Sequence, residues 1–323
     1  MMAILEVKNL NLGFRSEDKF LQALYDVSFS LEEGKMLSIV GESGCGKTMS
    51  AMSILKLIPK TAQITSGEII FNGENLLEKS QKQMQHIRGS KIALIPQDPM
   101  TSLNPLYTVG DQLLEILKIH QNLEGDEAEK KAIEAFEAVQ IPGAKSRLKN
   151  YPHEFSGGMK QRAIIAMALA CNAQILIADE PTTALDVTIQ AQIMNILKEI
   201  KTNNNTAILL ITHDLALVSE NADDIAVMYA GRIVENAPNK QFFENPNHPY
   251  SKALLNSLPS NRSEKLETIK GKPPVLSEKI SGCKFNPRCE FCMGICTQKV
   301  PELIEIEPQH RSACFLNNSL HCQ

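Results

Sequence analysis

Residues 41–48 read Gly41-Glu42-Ser43-Gly44-Cys45-Gly46-Lys47-Thr48, directly after the apolar run 36–40 and before a stretch, 49–58, that can be helical. A strand, a loop of small residues ending in Lys-Thr and a helix together make a phosphate-binding loop in the context its chemistry requires. Small side chains let successive backbone N–H groups turn inward onto phosphate oxygens, and the helix adds the positive end of its dipole. Lys47 reaches the outer phosphates, Thr48 offers a hydroxyl to Mg2+, and Met49 carries the chain into the helix. The segment predicts a nucleoside triphosphate site.

Two further stretches belong to phosphate chemistry. Ile175-Leu176-Ile177-Ala178-Asp179-Glu180 is an apolar run of buried-strand type ending in two carboxylates. Asp179 is placed to hold magnesium, through water. Glu180, one residue further on, is placed to face the terminal phosphate and polarise an attacking water. Phe155-Ser156-Gly157-Gly158-Met159-Lys160-Gln161-Arg162 puts a glycine pair at the start of the apolar, helix-like stretch 163–170, a second anion site. Ser-Gly-Gly alone is also an ordinary loop; beside the phosphate loop it identifies a family.

With these motifs in this order, the chain resembles the ATP-binding cassette (ABC) transporter ATPases over most of its length. The resemblance implies an α/β P-loop NTPase fold: a mixed-sheet core, an antiparallel β subdomain and an inserted helical subdomain. It also implies that Ser156, Gly157 and Gly158 of one subunit close over ATP held by the phosphate loop of a second. By position, Gln97 in Ile95-Pro96-Gln97-Asp98-Pro99 is similar to the loop glutamine that senses magnesium and the transporter. Asp186 in Ala184-Leu185-Asp186 is similar to the loop that passes between subunits, and His213 in Ile211-Thr212-His213-Asp214 to the switch histidine on the terminal phosphate. Phe14 is the choice for the ring that stacks on adenine, with Phe20 and Tyr25 as substitutes. The catalytic set is then Lys47, Gln97, Glu180 and His213. Taken singly, Gln97 reads equally as a polar strand end and His213 as a histidine capping the run 207–212; order and spacing select the catalytic reading. Met159 departs from the glutamine that many cassettes carry there.

Composition agrees with an energy-coupling subunit. With 323 residues, 43% of them hydrophobic, the chain can bury a sizeable core. No apolar stretch approaches the roughly 18 residues that span a bilayer, and Glu6 and Lys8 make the N-terminus unlike a signal peptide. The membrane path is therefore expected from other chains. A net charge of −4 argues against nucleic acid as the main partner.

Residues 4–14, 24–33 and 66–74 read as strands of an antiparallel layer, and 36–40, 91–97, 175–179 and 207–212 as buried, mostly parallel strands. Residues 113–139 read as helical, with Ala132, Phe136 and Val139 on one face. The domain reading is 1–235 for the ATPase, with a helical subdomain at about 100–165, and 236–323 for an extension.

The extension narrows the family. Asn247-His248-Pro249-Tyr250-Ser251-Lys252-Ala253-Leu254-Leu255 precedes a Ser-, Lys- and Pro-rich linker, 257–282, and a tail, 283–323, that holds six of the eight cysteines. On spacing alone, Cys289-x-x-Cys292 begins a zinc site completed by two of Cys283, Cys296, Cys314 and Cys322. The segment and tail are similar to the ATPase subunits of oligopeptide and dipeptide importers, some of which hold a 4Fe-4S cluster. That resemblance implies Cys283, Cys289, Cys296 and Cys314 as ligands, with zinc or reduced, unliganded thiols as alternatives. Cys45 and Cys171 read as space-filling residues.

The resemblance further implies a second, different ATPase subunit, two membrane permeases and an external solute-binding protein, with this chain on the cytoplasmic face of the membrane. The alternatives are a soluble cassette ATPase acting on nucleic acid or the ribosome, and an importer of nickel or another solute.

Overall fold

The structure, a computed structural model, describes residues 3–16, 19–183, 185–258 and 269–320. The chain folds into two compact units, the first holding residues 33–35 and 79–211 and the second residues 2–32, 36–78 and 212–323. Among the described residues, no helix is long and apolar enough to cross a membrane.

The first unit is organised on the strand Ile175–Asp179, all five residues of which are buried. It pairs in parallel with Ile92–Ile95 on one side and Ala207–Thr212 on the other, in the register Ile92↔Ile175 and Asp179↔Ile211. Continuous apolar sequence suits such a strand, because both of its faces are covered. The helix Gly157–Leu169 packs on Ile92–Ile95 and carries the helices Val109–Gln121 and Gly125–Ala138, and Val187–Asn204 leads from the central strand to Ala207–Thr212. The helical pattern read over 113–139 is carried by two helices. Asn122 (φ 54°) and Gly125 (φ 62°) take left-handed backbone between them, which terminates the first helix before Asp126 and Glu127 open the second.

In the second unit, Ala3–Ser16 and Lys19–Glu32 form a long antiparallel pair, and Ala62–Phe71 joins on the free edge of the first strand. A separate set of strands starts from Met36–Val40, wholly buried and parallel to Asp224–Tyr229. Arg232–Pro238 follows antiparallel, and two strands of the tail, His310–Ser312 and Ile304–Glu307, extend the set. The only local hint of these tail strands is the short alternation Ile304-Glu305-Ile306-Glu307.

The extension is tied to this unit by one buried carboxylate. Glu235 is fully buried and accepts the backbone N–H groups of Asn247 and His248, each at 2.7 Å, and faces His310 Nε2 at 2.8 Å. A buried carboxylate costs little when its lone pairs are filled in this way. His248 Nδ1 accepts the N–H of Tyr250 at 3.0 Å and so caps the helix Pro249–Asn256. Burial holds the His248 imidazole down to about 4, against the opposing pull of Glu235. Tyr229, Tyr250 and Phe285 pack beside it, with ring centroids 4.6 to 5.3 Å apart.

Candidate ATP site and cysteine tail

The phosphate loop leaves the buried strand Met36–Val40 and ends at Gly46, whose φ of 111° sets the start of the helix Lys47–Ile54. A Cβ on Gly41 would lie 2.2 Å from the carbonyl oxygen of Met228, and one on Gly46 2.7 Å from Leu24 Cδ2. Glycine is therefore demanded here by the fold itself. No side chain caps the helix, whose start carries no acidic residue. Ser43 and Gly44 form the exposed tip, and the Cys45 thiol below is buried and pushed up by that burial. Lys47 is 5% exposed, and its ammonium donates to the carbonyls of Gly41 (2.8 Å) and Glu42 (3.1 Å). The lysine is folded onto the loop that it serves.

Glu42 has partners that the sequence does not reveal. Its N–H donates to the Tyr250 hydroxyl at 2.9 Å, and its carboxylate accepts both Nη groups of Arg288 at 2.6 and 3.1 Å. Tyr250 and Arg288 stand 208 and 246 residues away in sequence.

Within the first unit, Asp179 closes its strand and is 1% exposed. Glu180 follows with φ 46°, a left-handed conformation that is uncommon outside glycine, held by its N–H donating to Ile211 O at 2.8 Å. This turn carries the carboxylate off the strand direction. Its Oε2 accepts Gln97 Nε2 at 3.0 Å and the Thr183 hydroxyl at 2.9 Å. Gln97 and Glu180, which the sequence motifs select separately, are thus brought together, and Thr183 is an addition. The strain at Glu180 has no sequence signal.

Ser156 caps the helix Gly157–Leu169 by accepting the Met159 N–H at 3.3 Å. Asp186 caps Val187–Asn204 by accepting the Ile189 N–H at 2.9 Å. The two helix starts meet, since a Cβ on Gly158 would lie 3.0 Å from Ile189 Cγ2. Ala184 lies outside the described residues.

In the second unit, His213 is exposed before Asp214, which caps the next helix by accepting the N–H groups of Ala216 and Leu217. Of the three rings weighed for adenine, Tyr25 is engaged by Arg232 and Lys284, whose cationic centres lie 5.2 and 5.0 Å from its centroid. Phe20 leans over Gly13, and Phe14 is half-buried in register with Leu21 and Ala62.

The tail cysteines Cys283, Cys289, Cys292, Cys296 and Cys314 are free thiols. Burial, aided by neighbouring thiols, pushes Cys283 and Cys289 up to about 11, and raises Cys314 as well. Cys283 feels Cys296 and Cys314, Cys289 feels Cys283, Cys292 and Cys296, Cys292 feels Cys296, and Cys314 feels Cys289 and Cys296. Five thiols in one electrostatic neighbourhood have the soft donor chemistry of an iron-sulfur or zinc site, and that neighbourhood does not single out four of them. Among the described residues, however, no three His, Cys, Asp or Glu side chains converge closely enough to hold a metal ion. Cys292 is exposed, and Cys322 lies outside the described residues.

Comparison with known proteins agrees with this arrangement. Residues 24–183 match the ABC transporter family, and residues 234–296 match the oligopeptide/dipeptide transporter C-terminal region. A probable peptide ABC transporter ATP-binding protein of Sinorhizobium fredii is 51% identical over 98% of this chain and 96% of its own length. The oligopeptide transport ATP-binding protein OppD of Escherichia coli is 47% identical over 97% and 93%. The dipeptide transport ATP-binding protein DppD of Bacillus subtilis is 46% identical over 98% and 96%. Among solved structures, a dimeric ATP-binding cassette in a post-hydrolysis state bound to ADP and Pi is similar, with a TM-score of 0.66 and 26% identity, covering 73% of this chain and 98% of that one. The chain belongs to the ABC transporter family, in the branch that carries the oligopeptide/dipeptide transporter C-terminal region, and is one of its ATP-hydrolysing subunits.

Proposed function

We propose that this chain drives the uptake of oligopeptides or dipeptides, working on the cytoplasmic face of a cell membrane. The observation that carries the reading is the C-terminal region: its His248-Pro249-Tyr250 segment is built onto Glu235 and the phosphate loop, and the likeness to peptide-transport ATP-binding proteins runs the whole length of the chain. Its partners are a second, different ATPase subunit, two permeases and an external solute-binding protein. Residues 1–235 form the ATPase and 236–323 the extension specific to this branch.

In this mechanism Phe14 stacks on adenine and residues 41–49 wrap the phosphates. Thr48, Asp179 and Gln97 would hold Mg2+, which would supply neutralisation of phosphate charge. Glu180 orients the attacking water, while Lys47 and His213 stabilise charge on the phosphoryl group being transferred. Ser156, Gly157 and Gly158 serve the ATP of the partner subunit, and Asp186 lies where subunits meet. Glu180→Gln, purified with ATP from its native membranes, is expected to bring two multi-spanning permeases and a second cassette. Recovery of soluble nucleic-acid or ribosomal proteins alone would overturn the reading.

Cys283, Cys289, Cys296 and Cys314 are proposed to hold a 4Fe-4S cluster, a structural staple for a tail too small to have a core of its own. Thiolates are the soft donors that such a cluster takes. Metal and acid-labile sulfide analysis of protein purified without oxygen tests it: four irons and four sulfides per chain are expected. Zinc, or no metal, would refute it.

A further inference from the structure

We propose that Arg288 positions the phosphate loop for ATP by neutralising and anchoring Glu42, which makes the C-terminal extension a working part of the nucleotide site. The proposal rests on the phosphate loop being the ATP site. Glu42 directly follows the first glycine of a loop that must gather a polyanion. A free carboxylate there repels phosphate and gives the loop a flexible arm; neither is useful for binding.

Both faults are removed by one residue. The Arg288 guanidinium meets the carboxylate as a fork, at 2.6 and 3.1 Å, and its side chain is only 5% exposed. Two parallel charge-assisted hydrogen bonds fix orientation as well as distance, which a lysine at this place would not do. The fork is itself held rigid. Nε donates to the carbonyl of Lys270 at 2.8 Å, and the guanidinium carbon lies 5.8 Å from the Tyr229 centroid and 6.0 Å from that of Phe285. A second anchor acts on the backbone of the same residue, the Glu42 N–H donating to the Tyr250 hydroxyl oxygen at 2.9 Å. Side chain and main chain of one loop residue are therefore gripped by two parts of the extension.

Charge makes the proposal testable, because anchoring and neutralisation fail differently in different variants. Arg288→Met loses the anchor and leaves a bare carboxylate beside the phosphates. Glu42→Gln loses the fork and leaves no negative charge. Titration of the full-length chain with magnesium AMP-PNP is expected to show affinity about tenfold weaker for Arg288→Met, a free-energy change of about 1.4 kcal/mol. Glu42→Gln, which loses the fork but carries no charge, is expected to bind about threefold more weakly than the wild type, and adding it to Arg288→Met should recover most of the remaining loss. The Arg288→Met deficit should also shrink as salt is raised.

Equal losses in both single variants, with no recovery in the double, would reduce the clamp to a structural contact and overturn the proposal; so would unchanged affinity in a folded Arg288→Met chain. If that variant does not fold, Arg288→Lys decides, since it keeps the charge and loses the fork. About threefold weaker binding is expected, and wild-type affinity overturns the proposal. Failure of the wild type itself to bind AMP-PNP would instead break the assignment of the ATP site.

Discussion

The two glycine-bearing helix starts, Gly46 before Lys47–Ile54 and Ser156 before Gly157–Leu169, read alike in sequence and are built differently. At the first, glycine is imposed by the backbone: φ is 153° at Gly41 and 111° at Gly46, and added Cβ atoms would meet atoms at 2.2 and 2.7 Å. At the second, the cap residue Ser156 is extended (φ −66°, ψ 163°) and its hydroxyl is already spent on the helix's own Met159 N–H. A Cβ on Gly157 would meet only Leu185 Cδ2, at 4.0 Å. The phosphate loop is shaped by its own chain. The Ser-Gly-Gly start has no such internal reason for Gly157, which fits a surface kept bare for a ligand that arrives from elsewhere. Under the proposed function, one motif is a cradle and the other a lid.

The largest effect expected from this contrast is on chemistry. Glu180→Gln keeps the left-handed turn and the hydrogen bonds that a carbonyl can accept, and removes only the carboxylate proposed to act as the base. ATP binding should persist while steady-state turnover falls by about a hundredfold or more. Near-normal phosphate release would remove Glu180 from that proposed role.

Stability separates the two helix starts next. Gly41→Ala forces a side chain against the Met228 carbonyl and should cost about 3 kcal/mol in urea unfolding. Gly158→Ala asks Ile189 Cγ2, 3.0 Å away, to move slightly, and should cost about 1 kcal/mol. Equal costs would erase the distinction drawn between the two.

Acid should loosen the braced side of the comparison in a recognisable window. His248 is buried neutral with its pKa lowered to about 4, whereas its unfolded value is 6.5. Between these values the unfolded chain binds a proton that the folded chain refuses. The stabilisation is therefore complete above pH 6.5 and is lost as the pH falls toward 4. The loss should reach about 3 kcal/mol in wild type and be mostly absent in His248→Asn, which keeps a helix-capping side chain. Parallel pH profiles for the two proteins would show that Nδ1 does not cap Tyr250 as an unprotonated acceptor.

Legibility in the sequence follows the range of the interactions. The strands 36–40, 175–179 and 207–212 stand at the bounds read from sequence, because continuous apolar runs mark strands buried on both faces. Lys47, Asp179 and Glu180 are legible for the same reason, each following such a run. Features that depend on partners far along the chain are invisible. Ile304–Glu307 carries a short alternating pattern in a polar tail, and its strand character comes from pairing with His310–Ser312 beside Arg232–Pro238. The Arg288–Glu42 fork joins residues 246 positions apart, and no local pattern announces it. The break between helices at Asn122 is readable in principle, since Asn-Leu-Glu-Gly holds two residues that tolerate left-handed backbone, but the apolar spacing on either side masks it.

The most direct test of the cradle-and-lid account is Gly157→Asp. The position has room for the side chain, and a carboxylate in the first turn of Gly157–Leu169 favours the helix. The account predicts unchanged or slightly higher thermal stability and wild-type binding of magnesium AMP-PNP by the isolated chain. It also predicts that ATP turnover in the assembled transporter collapses by about a hundredfold, because the new charge repels the partner's phosphate. Turnover within a few-fold of wild type, in a folded protein that binds nucleotide, would contradict it.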